Sequence, residues 1–183
     1  MEKLLIHIDG ASHGNPGLAA IGALLLDEHG NMVEEISQAI GRATNNVAEY
    51  RALIEACKAA LEYSPRRAIF FTDSQLVANQ INGAARVRQP HLENLNRIAL
   101  DLLNRLPEWT VRHVDRTVNW HAHRLAEKAV NDNATPAMPT PVLKPRPDSF
   151  YDDLRTKLDL LSTGDQKKVL EFANHLLQRV KHQ

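Results

Sequence analysis

The sequence predicts an α/β protein: a mixed sheet covered by helices, with a small helical extension at the C-terminus. Three observations carry that prediction. Short apolar stretches with strand character come first, two of them flanking the turn Glu28-His29-Gly30-Asn31. After residue 44 the apolar spacing changes to a helical one, and helix and strand patterns then alternate to residue 130. Finally, five of the nine prolines (Pro136, Pro139, Pro141, Pro145, Pro147) fall between Ala134 and Asp148. Proline lacks the amide proton and has a fixed φ, so this stretch reads as a semi-rigid spacer.

The elements follow in order. Leu4 to Asp9 is a short apolar strand, and Gly10 to Gly17 reads as a glycine-rich turn. Ala19–Leu26 and Met32–Ile40 form an antiparallel hairpin. Tyr50, Leu53, Ile54, Cys57 and Leu61 share a helix face, after a start signal at Thr44-Asn45-Asn46 with Glu49 three residues beyond Asn46. Ala68–Thr72 is a strand; Leu76, Val77 and Ile81 mark a short helix; Leu92, Leu95, Ala99, Leu102, Leu103 and Leu106 mark a longer one. Trp109–Val114 is a further strand, and Ala122, Leu125, Ala126, Ala129 and Val130 line a last helix. The expected organisation is a catalytic-sized domain at 1–132, a proline-rich linker at 133–148 and a helical hairpin at 149–183. Phe150, Leu154, Leu158 and Leu161 stripe one helix of that hairpin, and Val169, Ala173, Leu176 and Val180 the other. Two helices of this size bury too little surface to stand alone, so they are expected to pack on the first domain or to pair two chains.

Composition narrows the class. Hydrophobic residues make up 43% and charged residues 24%, which excludes a disordered or collagenous chain. No run approaches the length of a membrane helix, and the single cysteine, Cys57, allows no internal disulfide. A cytoplasmic protein is expected. The 22 basic and 22 acidic side chains cancel, so net charge makes no case for a polyanion partner. From Arg86 to Arg124, seven arginines face four acids, a local surplus that suits phosphate contact as readily as a solvated surface.

Three carboxylates stand in informative places. Asp9 ends the first strand, Glu49 sits in the first turn of the first helix, and Asp73 ends the fourth strand. Strand ends and the helix starts beside them gather on one rim of an α/β sheet. Three acids meeting there would repel one another, and a divalent cation relieves this. All-oxygen ligands favour Mg²⁺ or Mn²⁺. Taken singly, each acid reads as a cap or a surface residue; their joint placement is what argues for a site.

Four blocks carry a family resemblance. Asp9-Gly10-Ala11-Ser12-His13-Gly14-Asn15-Pro16-Gly17, Thr44-Asn45-Asn46-Val47-Ala48-Glu49-Tyr50, Thr72-Asp73-Ser74-Gln75 and Asn119-Trp120-His121-Ala122-His123-Arg124-Leu125-Ala126 resemble, in order and spacing, the motifs of type 1 ribonuclease H. The short stretch between Ile81 and Leu92 has no basic protrusion, as in the compact, archaeal-type branch. The resemblance implies a ribonuclease H-like fold, with three antiparallel strands and then two parallel ones. It implies hydrolysis of the RNA strand of RNA–DNA hybrids to 5′-phosphate products, with Asp9 bridging two metal ions and Glu49 and Asp73 as further ligands. It also implies that Asn15, Asn45, Asn46 and Gln75 contact the minor groove of the hybrid, where amides can read the 2′-hydroxyl, and that Thr44 binds a DNA-strand phosphate. Gly10 falls among the implied substrate contacts, although turn geometry accounts for Gly10, Gly14 and Gly17 on the residues themselves, and helix capping does so for Asn45 and Asn46.

One departure concerns the site. The last-helix motif of the family supplies a fourth acid where this chain has His123. That imidazole could bind or orient a metal's water shell, act as a proton shuttle, or be a solvated helix residue that leaves three acids. Glu127, one turn on, could partly compensate or lie on the surface. His113 and His121 receive no catalytic role. A nucleic-acid-binding module weakened in catalysis by the missing acid is the alternative reading.

Overall fold

The structure, a computed structural model, describes residues 1–134. The proline-rich stretch beyond Ala134, the predicted hairpin at 149–183 and any pairing of chains through it lie outside the described residues. In chain order the elements are β1 (Lys3–Gly14), β2 (Gly17–Leu26), β3 (Met32–Ala43), α1 (Asn45–Tyr63), β4 (Arg67–Thr72), α2 (Gln75–Ile81), α3 (Pro90–Leu103), β5 (Glu108–His113) and α4 (Trp120–Ala134). The five strands form one sheet in the order β3-β2-β1-β4-β5. β1 pairs antiparallel with β2, and β2 with β3, whereas β4 runs parallel to both β1 and β5. This is the predicted mixed sheet.

Helices cover both faces. Leu4, Ile6 and Ile8 alternate along β1, are fully buried, and pack with Tyr50, Leu53 and Cys57 of α1 in the main core. On the other face Ala11 and Ala20 meet Ala126, Ala129 and Val130 of α4 in a smaller core. These small residues let α4 lie close to the sheet. Gly22 is the tightest point: a Cβ there would stand 2.2 Å from the Ala122 carbonyl oxygen and 2.5 Å from the Ala126 nitrogen. Among the described residues, no helix is long and apolar enough to cross a membrane.

Several boundaries differ from the sequence reading, each for a local reason. Gly10 to Gly17 is not one turn: β1 continues to Gly14, opposite Gly17, and only Asn15 and Pro16 lie between the strands. Ladder pairing with β2 overrides the weak strand preference of glycine. Asp9 is therefore inside β1 rather than at its end. Thr44, not Asn45 or Asn46, caps α1, its Oγ1 accepting the Val47 N–H at 3.3 Å. That cap puts Glu49 at the fifth helical position, beyond the first turn. β3 runs on to Ala43, Leu106 lies past the end of α3, and α4 extends two residues into the segment read as linker.

Candidate active site

The sheet brings two of the acids together through its register. Parallel pairing of β1 with β4 ends at Ile8 opposite Thr72. Asp9 and Asp73 are thus the next residues on neighbouring strands, about one strand spacing apart. Glu49 arrives from α1 because β1 has a glycine where the helix passes. A Cβ on Gly10 would stand 2.2 Å from the Glu49 nitrogen and 2.3 Å from the Ala48 carbonyl carbon. Gly10 is required for this close approach and not for a turn. The result is a cluster in which one oxygen of each of Asp9, Glu49 and Asp73 lies within 4.8 Å of the others.

Two of the three carboxylates are nearly sealed from water, Asp9 at 3% exposure and Glu49 at 5%. Burial raises the Glu49 pKa well above its ordinary value, and the charges of Asp9 and Asp73 push it the same way. A backbone hydrogen bond from Gly10 and the more distant Arg116 oppose the rise without cancelling it. Asp9 is also raised, chiefly by burial, with the His123 hydrogen bond pulling it back. Glu49 Oε2 is buried without a hydrogen-bond partner. A buried carboxylate oxygen left unpaired beside two further carboxylates is a site short of positive charge. A hard divalent cation fits this donor set.

The cluster floors an open pocket of about 190 Å³ whose walls include Asn45, Arg116, His123 and Glu127. His123 Nδ1 is 2.9 Å from Asp9 Oδ2, and its Nε2 is 2.8 Å from Arg116 Nη2. A carboxylate only accepts, so Nδ1–H donates to Asp9; the same Arg116 Nη2 is also 3.2 Å from Nδ1, so the guanidinium lies against the ring rather than along one lone pair. His123 stands outside the oxygen cluster, held against Asp9 and Arg116 with 24% of its side chain still open to water. Glu127 lines the same pocket and lies 3.4 Å from His13, a half-exposed pair. His121 bonds Glu35 at 2.6 Å on the surface, away from the acidic cluster's hydrogen bonds.

Asn119, the first residue of the last motif block, carries no role in the sequence pattern. It is fully buried, and its Nδ2 donates to Asp73 Oδ1 at 2.9 Å and to the Ile8 carbonyl at 2.8 Å. In the sequence Arg116 is one of the seven arginines between 86 and 124. An asparagine just before a helix reads as a cap, which hides a side chain turned into the sheet. The expected substrate contacts divide into two groups. Asn15 accepts the Asn45 N–H at 3.2 Å, tying the β1–β2 turn to the start of α1, and Asn45 faces the acidic pocket. Asn46 instead lines a separate cavity of about 180 Å³ with Gln80, Arg86 and Arg88. Gln75 is exposed at the start of α2, and Thr44 is engaged as the cap.

Comparison with known proteins adds to this geometry. Residues 7–129 match the family model described as Reverse transcriptase-like. Over 126 residues the chain is 43% identical to the Ribonuclease HI of Halobacterium salinarum, covering 69% of this chain and 63% of that protein. This chain belongs to the type 1 ribonuclease H family. The solved RNase H1 of the same archaeon superposes with a TM-score of 0.69 at 42% identity, covering 71% of this chain and 98% of that one. The N-terminal RNase H domain of Rv2228c from Mycobacterium tuberculosis gives 0.68 at 40% identity, covering 70% and 98%. LC11-RNase H1 in complex with RNA/DNA hybrid gives 0.69 at 31% identity, covering 72% and 99%. The chain spans 63% of the Halobacterium protein's length and 37% of the full bifunctional mycobacterial protein. Within this ribonuclease H fold, α2 ends at Ile81 and α3 starts at Pro90 with no helix between them, the compact outline expected without a basic protrusion.

Proposed function

We propose that this chain is an endonuclease that hydrolyses the RNA strand of RNA–DNA hybrids, leaving 5′ phosphates, with Asp9, Glu49 and Asp73 holding two divalent ions, Mg²⁺ or Mn²⁺. One observation carries the reading: three carboxylates meet within 4.8 Å, and Glu49 Oε2 is buried without a partner. The solved complex of LC11-RNase H1 with RNA/DNA hybrid supports the substrate class. When bound, such ions activate water, orient the scissile phosphate and neutralise the leaving oxygen.

The protein's own groups have separate tasks. Asp9, buried and within 4.8 Å of both other acids, is the shared ligand; the Gly10 amide aims Glu49, and Asn119 holds Asp73. His123 is the fourth member of the site: it steadies Asp9 by a hydrogen bond and lies where it can serve a metal's water shell. Arg116, exposed at the pocket mouth, offers its remaining N–H groups to a phosphate. The amides of Asn15, Asn45, Asn46 and Gln75 read the minor groove, and Gly10, in the wall of the acidic pocket with Asn45, also meets the substrate. The Thr44 hydroxyl, which accepts from Val47, retains its proton for a DNA-strand phosphate. The protein works in the cytoplasm, with the segment beyond the linker pairing two chains.

The test is side-by-side incubation of labelled hybrid, duplex RNA and duplex DNA with Mg²⁺ or Mn²⁺. Wild type should cut the hybrid's RNA strand, and Asp9→Asn should lose the activity by orders of magnitude. Hybrid binding without cleavage by the wild type in either metal would refute the enzyme and favour a catalytically weakened binding module.

A further inference from the structure

We propose that His7 is a positioning residue for the acidic pocket: through the Asn119 amide it fixes how Asp73 presents its carboxylate. The inference rests on the metal-dependent reading above and concerns a side chain outside the acidic cluster.

Asn119 has no exposure to water, so each of its polar atoms must find a protein partner. Nδ2 uses both hydrogens, one to Asp73 Oδ1 at 2.9 Å and one to the Ile8 carbonyl at 2.8 Å. Those two bonds staple the residue before Asp9 on β1 to the residue after β4. They set the Asp9–Asp73 separation and leave the second oxygen of Asp73 for the pocket. On its far side, Asn119 Oδ1 lies 3.3 Å from His7 Nδ1. A carboxamide can sit either way round. Flipped, it would turn its oxygen towards a carboxylate and a carbonyl, both acceptors.

The state of His7 decides how strongly that flip is opposed. With a proton on Nδ1, only the observed orientation satisfies all three neighbours. With a lone pair there, the flipped amide would regain a bond to His7 and the staple would weaken. The ring is itself held: His7 pairs with Phe71 across the β1–β4 ladder, and the two rings stack at 4.8 Å and 23°. Stacking fixes the imidazole plane, and the hydrogen bond to Asn119 sets which edge faces inward.

Two experiments on the full-length protein test this. In uniformly ¹⁵N-labelled chain, the ring resonances of His7 should report the Nδ1–H tautomer; an Nε2–H tautomer overturns the inference, with or without metal present. The second compares His7→Phe, which keeps a flat ring for Phe71 and loses the donor, with His7→Asn, whose amide restores an N–H near the Nδ1 position. His7→Phe should weaken Mn²⁺ binding, followed by calorimetry, about threefold to tenfold, as expected for one lost hydrogen bond. It should lower kcat by a similar factor while leaving KM for hybrid unchanged, and His7→Asn should recover most of both. Wild-type Mn²⁺ affinity in His7→Phe, or a loss that follows thermal stability and is not rescued by His7→Asn, overturns the inference. A wild-type chain that neither binds Mn²⁺ nor cuts hybrid instead refutes the proposed function, and the tautomer then decides the His7 inference alone.

Discussion

Replacing Glu49 by Gln should make the metal-free protein more stable while abolishing its metal site. Oxygens of the three carboxylates lie within 4.8 Å of one another. At an effective dielectric constant of ~20, each ionised pair at that distance repels by about 3 kcal/mol. Glu49 adds the cost of a buried acceptor without a partner, on the order of 1–3 kcal/mol. Gln keeps the shape, removes one charge, and supplies N–H groups to the remaining acids. A net gain of about 1–3 kcal/mol follows, or roughly 3–10 °C in Tm for a domain of this size. The pH dependence has a definite sign. Burial and two neighbouring acids raise the Glu49 pKa in the folded chain above 4.5. Stability from the bound proton is therefore complete below the unfolded value and is lost as pH rises through the folded one. The advantage of Gln should be small near pH ~4 and larger near pH ~8. Saturating Mg²⁺ stabilises only the chain that binds it, so adding the metal should narrow or reverse the order. Thermal denaturation of both proteins in EDTA and in Mg²⁺, at both pH values, measures all of this. A Glu49→Gln protein less stable than wild type in EDTA near pH ~8 would refute the claim that this cluster is strained by its own charge.

Two other substitutions probe the same architecture. Gly10→Ala puts a methyl group 2.2 Å from the α1 backbone, so α1 must retreat by about 1 Å to reach ordinary contact; about 2–4 kcal/mol of stability and about 100-fold in activity should go together in urea unfolding and hybrid cleavage. Unchanged stability would mean that α1 adjusts freely. His123→Asp removes the donor to Asp9 and adds a fourth carboxylate: the metal-free Tm should fall while Mg²⁺-supported cleavage rises relative to Mn²⁺-supported cleavage, and equal rates in both metals before and after would make His123 a bystander.

Much of the fold is readable along the chain because local patterns and tertiary packing agree. The β1 alternation of Leu4, Ile6 and Ile8 is the same alternation that buries them against α1. The helical spacing of Tyr50, Leu53 and Cys57 is the face that covers them. Disagreement falls where a distant partner outweighs a local preference. The run from Gly10 to Gly14 looks like a turn, but β2 lies alongside it and completes its hydrogen bonds. Asn45 and Asn46 look like caps, but Thr44 is one residue earlier and has the hydroxyl in reach of Val47.

The identity of the site shows the same division. Residue types and order along the chain are enough to pick out Asp9, Glu49 and Asp73 as candidates, although Asp9 proves to lie inside β1 and Glu49 beyond the first turn of α1. What those residues touch depends on contacts between positions 24 to 114 apart in the chain. That Gly10 exists to admit a helix, that Asn119 turns inward to hold Asp73, and that His123 is shared between Asp9 and Arg116 are facts of three-dimensional closure. A sequence records which groups can donate, accept or carry charge; only the folded backbone determines which of them come within bonding distance.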